Sequence, residues 1–111
     1  MAVFTLKKLS YGDAWIVNGL SADASGAETL LAAESGKTHY ITSMVISFAT
    51  NGVVSIEDGT TTILGPYNFK AAGGNTLAKE FKNHPHTTAG ALLGATATAG
   101  AVCITIEGYT R

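Results

Sequence analysis

Apolar and polar residues alternate along several segments of this sequence, as they do in β-strands with one buried face. The clearest segment is 37–48, KTHYITSMVISF, in which alternate residues would share one side of a strand: Tyr40, Thr42, Met44, Ile46 and Phe48. The period of two predicts that this side faces a core. The opposite side carries Ile41 and Val45 among polar residues. It is half apolar, so we expect it to be covered as well.

Two further segments show the same alternation. The segment 53–64, VVSIEDGTTTIL, predicts a hairpin whose tight turn contains Asp58 and Gly59, because Asp-Gly supplies the positive φ angles that such turns need. The segment 101–109, AVCITIEGY, predicts a final strand. Together with the strand at 37–48, these segments predict the following core residues: Met44, Ile46, Phe48, Ile56, Val102, Ile104 and Ile106.

Weaker patterns complete an all-β interpretation. Turn signals, which are mainly glycines, recur at intervals of about 7 to 15 residues, which is typical of a β-sandwich or barrel. The segment 28–34, ETLLAAE, contains good helix formers, but Gly26 and Gly36 bracket it too closely for an ordinary helix, so we interpret it as a strand. The prediction is one domain, residues 1–111, forming an antiparallel β-sandwich of about eight strands. Other weak strands are expected at 14–19, 66–71 and 77–82, and residues 1–13 form either an arm or an edge strand.

A long segment without charge, 83–106, is the most unusual feature of the sequence. We interpret it as two adjacent strands, 91–98 and 101–109, joined by a turn at Ala99 and Gly100, with Leu92 facing inward. The other side would then be small and flat, and an open solvent-facing sheet normally carries Lys and Glu. This pattern predicts a subunit interface, with the candidate residues Ala95, Thr96, Thr98, Cys103 and Thr105. Cys103 has no basic partner on its strand, so we interpret it as a small buried residue and not as a nucleophile.

Composition excludes several classes of protein. Charged residues make up 14% of the 111 residues and the formal net charge is -1, so no basic field supports nucleic-acid binding. The apolar fraction of 46% argues against disorder. One cysteine cannot form an internal disulfide. No apolar run resembles a membrane helix or a signal sequence. We therefore expect partners other than nucleic acid or membrane, and synthesis in cytosol.

Few residues suggest chemistry. His84 and His86 have the HxH spacing of cupin metal sites, but no carboxylate follows at Ala89 or Gly90, and His39 lies on a distant strand. We expect exposed loop histidines, no metal, no cofactor and no enzymatic activity. Aromatic residues leave one alternative open, a glycan- or receptor-binding sandwich of fibre or lectin type, with these candidate platforms: Trp15, Tyr67 and Tyr109, with Tyr11 beside Trp15.

Three segments carry a resemblance to a known family. The segments are ETLLAAESGKTHYITSMVISF, the hairpin VSIEDGTTTI and, at the C-terminus, AGAVCITIEGYTR. The order of these segments resembles that in small jelly-roll structural proteins of tailed bacteriophage virions. The likeness covers residues 28–109 and contains no catalytic motif. It implies a jelly-roll-like fold and a non-enzymatic virion protein, either a capsid decoration or cement protein or a small head or tail fitting. Such a protein would be a homotrimer that contacts the major capsid protein on the virion surface after synthesis in the host cytoplasm. The glycan-binding module is the alternative, and a cupin-like enzyme is a third hypothesis.

Overall fold

The computed structural model describes residues 5–21, 26–49, 51–59, 61–70, 75–97 and 101–111, and their regular structure is all β-strand. The prediction of an all-β fold is therefore confirmed, with nine strands where about eight were expected. Within these residues no helix is long and apolar enough to cross a membrane. The strands are β1 Thr5–Tyr11, β2 Ala14–Ser21, β3 Gly26–Leu31, β4 His39–Phe48, β5 Gly52–Asp58, β6 Thr61–Phe69, β7 Thr76–Glu80, β8 Leu93–Ala97 and β9 Val102–Thr110.

The strands form two antiparallel sheets that pack as a sandwich. The five-stranded sheet has the order β1-β2-β9-β4-β7, and the four-stranded sheet has the order β3-β8-β5-β6. Four of the pairings, β5–β6, β4–β7, β3–β8 and β2–β9, are those of one long hairpin. Two more, β4–β9 and β5–β8, form where that hairpin rolls up on itself. This is the jelly-roll arrangement, and β1 extends one sheet as an edge strand.

The core lies between the two sheets. The seven predicted core residues are all buried, and large side chains from both sheets join them, among them Trp15, Val54 and Leu93. The rings of Phe48 and Phe69 pack across the core with their centroids 5.1 Å apart. Burial of an apolar side chain of this size is worth about 1.5–3 kcal/mol, so the core supplies the main stabilisation of the sandwich.

A β-bulge in β4 changes which of its side chains face the core, so the two faces differ from the prediction. The β4–β9 register shifts between Ile41 and Ser43, and a bulge of one residue reverses the side on which the following side chains point. Met44 and the later alternate residues face the core as predicted, but His39 and Ile41 are buried as well. Tyr40 and Thr42 were predicted to face the core, and that prediction is wrong because a strict period of two cannot represent the bulge.

The predicted hairpin at Gly59 is confirmed. β5 and β6 pair antiparallel, with Asp58 opposite Thr61 next to the turn. Gly59 has φ of 59°, in the left-handed region that glycine adopts without a Cβ penalty. Its amide also donates to the Leu92 carbonyl at 3.0 Å, which fixes the turn against the start of β8.

The predicted pairing within the uncharged segment is wrong. β8 pairs with β3 and β5 in one sheet, whereas β9 pairs with β2 and β4 in the other. The chain between them, where Ala99 and Gly100 were predicted to make a hairpin turn, connects two sheets and lies outside the described residues. The inward side of β8 was also misassigned, because Leu93 is fully buried while Leu92 is only partly buried. Both strands are interior strands of their sheets, and Glu107 of β9, just beyond the uncharged segment, lies on the outer face.

Candidate functional site

The five interface candidates do not form one surface. Ala95 faces the core with 1% of its surface exposed, so its assignment to an interface is wrong. The side chain of Thr96 and all of Thr98 lie outside the described residues. Cys103 is exposed, which contradicts its prediction as a buried residue. Thr105 is half-buried beside Cys103 on β9 and donates a hydrogen bond to Asn18 Oδ1 at 3.0 Å.

The side chains of Cys103 and Thr105 lie on the side of the five-stranded sheet that faces away from the core, which we call the outer face. Strand register places its side chains in four rows that run across the sheet. The rows are Leu20, Cys103, Ser47 and Thr76; Lys7, Asn18, Thr105, Val45 and Ala78; Leu9, Ile16, Glu107, Ser43 and Glu80; and Tyr11, Ala14, Tyr109 and Tyr40.

The first two rows, which we call the apolar half of the outer face, combine four apolar residues with five polar ones. Leu20 and Val45 are exposed by 57% and 46%, and Cys103 and Ala78 lie exposed between and beside them. Lys7 at the β1 edge is the only charged side chain in these two rows. Isolated exposed apolar residues are ordinary on a protein surface, but neighbours on one flat sheet face form a patch that a partner can cover.

The fourth row is aromatic. Tyr40 and Tyr109 lie opposite each other on β4 and β9, and their rings stack with centroids 4.8 Å apart and an interplanar angle of 14°. The His84 and Tyr109 rings meet edge to face with their centroids 5.5 Å apart, and His84 Nδ1 lies 2.9 Å from the Tyr109 hydroxyl. The centroids of the His86 and Tyr40 rings are 5.1 Å apart. Backbone bonds hold this arrangement, because residues 85–87 run antiparallel along the start of β4, on the side where β7 pairs only with the later part of that strand.

Charged groups flank the aromatic row. The Arg111 guanidinium lies over the Tyr109 ring at 4.7 Å from its centroid, and its Nε is 3.4 Å from Asp13 Oδ2. Both partners of that ion pair are well exposed, so water screens it and it adds little stability. On the other side of the row, the Ser43 hydroxyl donates to Glu107 Oε2 at 2.8 Å. That bond orients the exposed Glu107 carboxylate and leaves its other oxygen toward solvent.

A buried polar chain lies beneath this corner of the sheet. Trp15 Nε1 donates to Thr110 Oγ1 at 2.9 Å, and that hydroxyl lies 2.8 Å from His39 Nδ1. His39 Nε2 lies 2.9 Å from the Ala32 carbonyl, which can only accept, so Nε2 carries the proton and Nδ1 accepts from Thr110. Each side-chain polar atom in this polar chain has a hydrogen-bond partner, and these bonds connect β2, β4 and β9.

The histidines do not form a group of metal ligands in this structure. His84 and His86 are exposed, as expected, and their Nδ1 atoms face the Tyr109 hydroxyl and the Thr87 carbonyl. His39 is buried in the polar chain with Trp15 and Thr110. In the described part of the sequence, no three His, Cys, Asp or Glu side chains come close enough to hold a metal ion together.

One of the three candidate glycan platforms is buried, and the other two are partly buried. Trp15 is 3% exposed and packs in the core. Tyr67 packs against the core from β6, and its burial raises the pKa of its phenol above the ordinary value of about 10. Tyr109 is half-buried within the aromatic row. Tyr11, which is 64% exposed at the end of that row, is the most open ring of this group. Sequence reasoning missed the aromatic row because only register shows which residues lie side by side across four strands.

Comparisons with known proteins add little. No protein-family model and no curated protein matches this chain. Among solved structures, a crystal structure of CapF with the inhibitor 3-isopropenyl-tropolone aligns with a TM-score of 0.38 and 8% identity, over 97% of this chain and 30% of that chain. The capsular polysaccharide assembling protein CapF from Staphylococcus aureus aligns with a TM-score of 0.30 and 8% identity, over 96% of this chain and 30% of that chain. At these scores the likeness bears on neither activity nor ligand.

Proposed function

We propose that this protein is a non-enzymatic structural protein of a tailed bacteriophage virion, of the capsid decoration type, that works as a homotrimer. The observation that carries the assembly part of the proposal is the apolar half of the outer face. Leu20, Cys103 and Val45 are exposed in two neighbouring rows across strands β2, β9 and β4. The resemblance of residues 28–109 to small jelly-roll virion proteins supplies the virion part.

Physical chemistry favours a second copy of the chain as the first partner of this half-face. The rows contain short or branched side chains, which lose little conformational entropy when they are ordered. In a trimer this contact is heterologous, so the half-face of one copy would meet a different surface of the next copy, with the side chains of both in contact. Apolar area removed from water in this way is worth about 25 cal/mol per Å². The major capsid protein would then contact other surfaces of the assembled trimer.

Light scattering of purified variants tests the assembly. We expect the wild type to be a trimer at micromolar concentration. Leu20→Lys and Val45→Lys each place a charge that must be desolvated on association, so both should give monomers with an unchanged far-ultraviolet circular dichroism spectrum. The matched control is Thr62→Lys, an exposed position on β6 of the other sheet, which should remain trimeric. A monomeric wild type, or loss of the trimer only in the control, contradicts the proposed face.

Co-sedimentation tests the virion part. We expect the wild-type trimer to pellet with capsids that lack this chain and to label the outer surface of intact particles in electron micrographs. A trimer that stays in the supernatant with such capsids contradicts the decoration role while leaving the assembly result intact.

A further inference from the structure

The aromatic row contains a slot that neither the core nor the apolar half explains. Tyr11 and Tyr109 stand on β1 and β9, with Ala14 of β2 opposite each of them in register. Adjacent strands are about 4.8 Å apart, so about 10 Å separates the backbones that carry the two tyrosines. The short Ala14 side chain forms the floor between them. The result is an open cavity of about 320 Å³ with an aromatic residue on two sides.

Polar groups border the same cavity. Glu107 and Thr42 line it together with Ile16. The Thr42 hydroxyl donates to the Glu107 backbone carbonyl at 3.1 Å, and the Ser43 hydroxyl donates to the Glu107 carboxylate at 2.8 Å. The carboxylate is therefore held in place with one oxygen still able to accept hydrogen bonds. The Arg111 guanidinium, over the Tyr109 ring, provides donors close to the slot.

We propose that this slot binds one pyranose unit of a saccharide. A pyranose ring presents apolar C–H groups on its faces and hydroxyl groups around its rim. One sugar face matches the open ring of Tyr11, whose electron-rich face accepts C–H contacts, and the rim hydroxyls match a carboxylate that can accept from two of them. Tyr40 stacks on the Tyr109 ring and Arg111 lies over it, so Tyr109 forms a wall of the slot and not a second stacking face. A cavity of this size is at the small end of the range for ligand sites, which suits a single sugar ring.

The slot is structurally independent of the proposed subunit contact. It lies in the third and fourth rows of the outer face, and Leu20 and Cys103 lie in the first row, at the other end of the same strands. A trimer built on the apolar half would leave the row of Tyr11 near the rim of the contact. The saccharide site does not depend on the virion role, because it rests on the slot residues alone.

Nuclear magnetic resonance titration of the purified chain tests the proposal. The probes are the methyl glycosides of galactose, N-acetylglucosamine and glucuronic acid. We expect at least one of them to cause saturable shifts at the amides of Tyr11, Ala14 and Glu107, with millimolar affinity. Tyr11→Ala and Glu107→Gln should each weaken binding about tenfold, and Tyr11→Phe should retain it, because the phenylalanine ring keeps the C–H contact.

Two controls distinguish loss of the saccharide site from loss of the fold. Tyr67→Phe, on the other sheet, should bind like the wild type. Tyr11 is exposed, so Tyr11→Ala should melt like the wild type, and that melting curve shows that lost binding is not lost folding. Absence of saturable shifts with all three glycosides overturns the proposal. So does binding that survives Tyr11→Ala, and so does a slot that takes N-acetyl-tyrosine amide but none of the sugars.

Discussion

β8 and the first half of β9 come from the same uncharged segment and yet occupy different environments. β8 lies between β3 and β5, and β9 lies between β2 and β4 of the opposite sheet. In β8 the small residue Ala95 is buried in the core, while in β9 the small residue Cys103 is exposed on the outer face. The comparison teaches that one uncharged segment can supply strands to two different sheets. A shared lack of charge therefore does not show that two neighbouring strands pair with each other.

Gly108 of β9 should be the position in this comparison at which a substitution destabilises the fold most. A Cβ on Gly108 would overlap the Tyr40 carbonyl and would lie 2.9 Å from the Trp15 ring. Neither the backbone of β4 nor a buried indole can move away easily. We expect Gly108→Ala to lower the free energy of unfolding by more than about 3 kcal/mol, measured by urea denaturation.

Gly59→Ala is the control for that substitution. A Cβ on Gly59 would meet nothing within 4 Å, and only its φ of 59° opposes a side chain. The expected cost is about 1–2 kcal/mol. If the two alanine variants were equally stable, the close approach of β4 to β9 at Gly108 would be wrong.

Enlarging Ala95 tests the buried side of β8. Its side chain faces the core between the sheets, so Ala95→Leu adds volume to a packed interior, and we expect a loss of about 1–3 kcal/mol in the free energy of unfolding. Urea denaturation measures the stability, and light scattering on the same sample measures assembly. Unchanged stability combined with a lost trimer would restore Ala95 as an interface residue.

Cys103 provides the exposed counterpart on β9. We expect Cys103→Ser to change the free energy of unfolding by less than about 0.5 kcal/mol, because the side chain leaves no cavity in the core. The thiol of the dissociated wild type should react with a maleimide as fast as a free cysteine does, and more slowly in the trimer if the proposed contact covers it. A thiol that reacts only after denaturant is added would place Cys103 in the interior.

The smallest expected effect is a change in how stability depends on pH under alkaline conditions, and it comes from a tyrosine of the four-stranded sheet. Burial raises the pKa of Tyr67 in the four-stranded sheet above about 10. The folded state then holds this proton more tightly than the unfolded state does. The stability linked to the proton is fully present below pH 10 and is lost as the pH rises through the folded pKa. Tyr67→Phe should therefore flatten the decline of stability above pH 10, measured by denaturation at several pH values, and equal slopes would contradict the shift.

Much of the fold could be predicted from the sequence because its signals are local. Alternation identified the inward residues of β9, and an Asp-Gly pair identified the β5–β6 hairpin. The face reversal in β4 could not be predicted, because a bulge depends on how Ile41 and Ser43 meet the neighbouring strand. The partners of β8 could not be predicted either, since its residues fit an interior position in either sheet.

The candidate site was less predictable than the fold. Trp15 and Tyr67 were reasonable aromatic candidates by residue type, but Trp15 is buried in the core and Tyr67 is partly buried against it. Tyr11 and Tyr109 became neighbours of one slot only through the β1–β2 and β2–β9 registers. Register between strands far apart in sequence is set by tertiary packing, and no pattern within a single segment encodes it.

The rolled hairpin also implies an order in which the strands pair during folding. The turn at Gly59 brings β5 and β6 together locally, whereas Trp15 and Thr110, which bond across the β2–β9 pair, are 95 positions apart. Closing long loops costs entropy before their contacts form, and domains dominated by such contacts fold in about milliseconds to seconds. We expect pairing to spread outward from the β5–β6 turn and to reach β2 and β9 last. The outer face is complete only after that step, so partners can recognise only a chain that has finished folding.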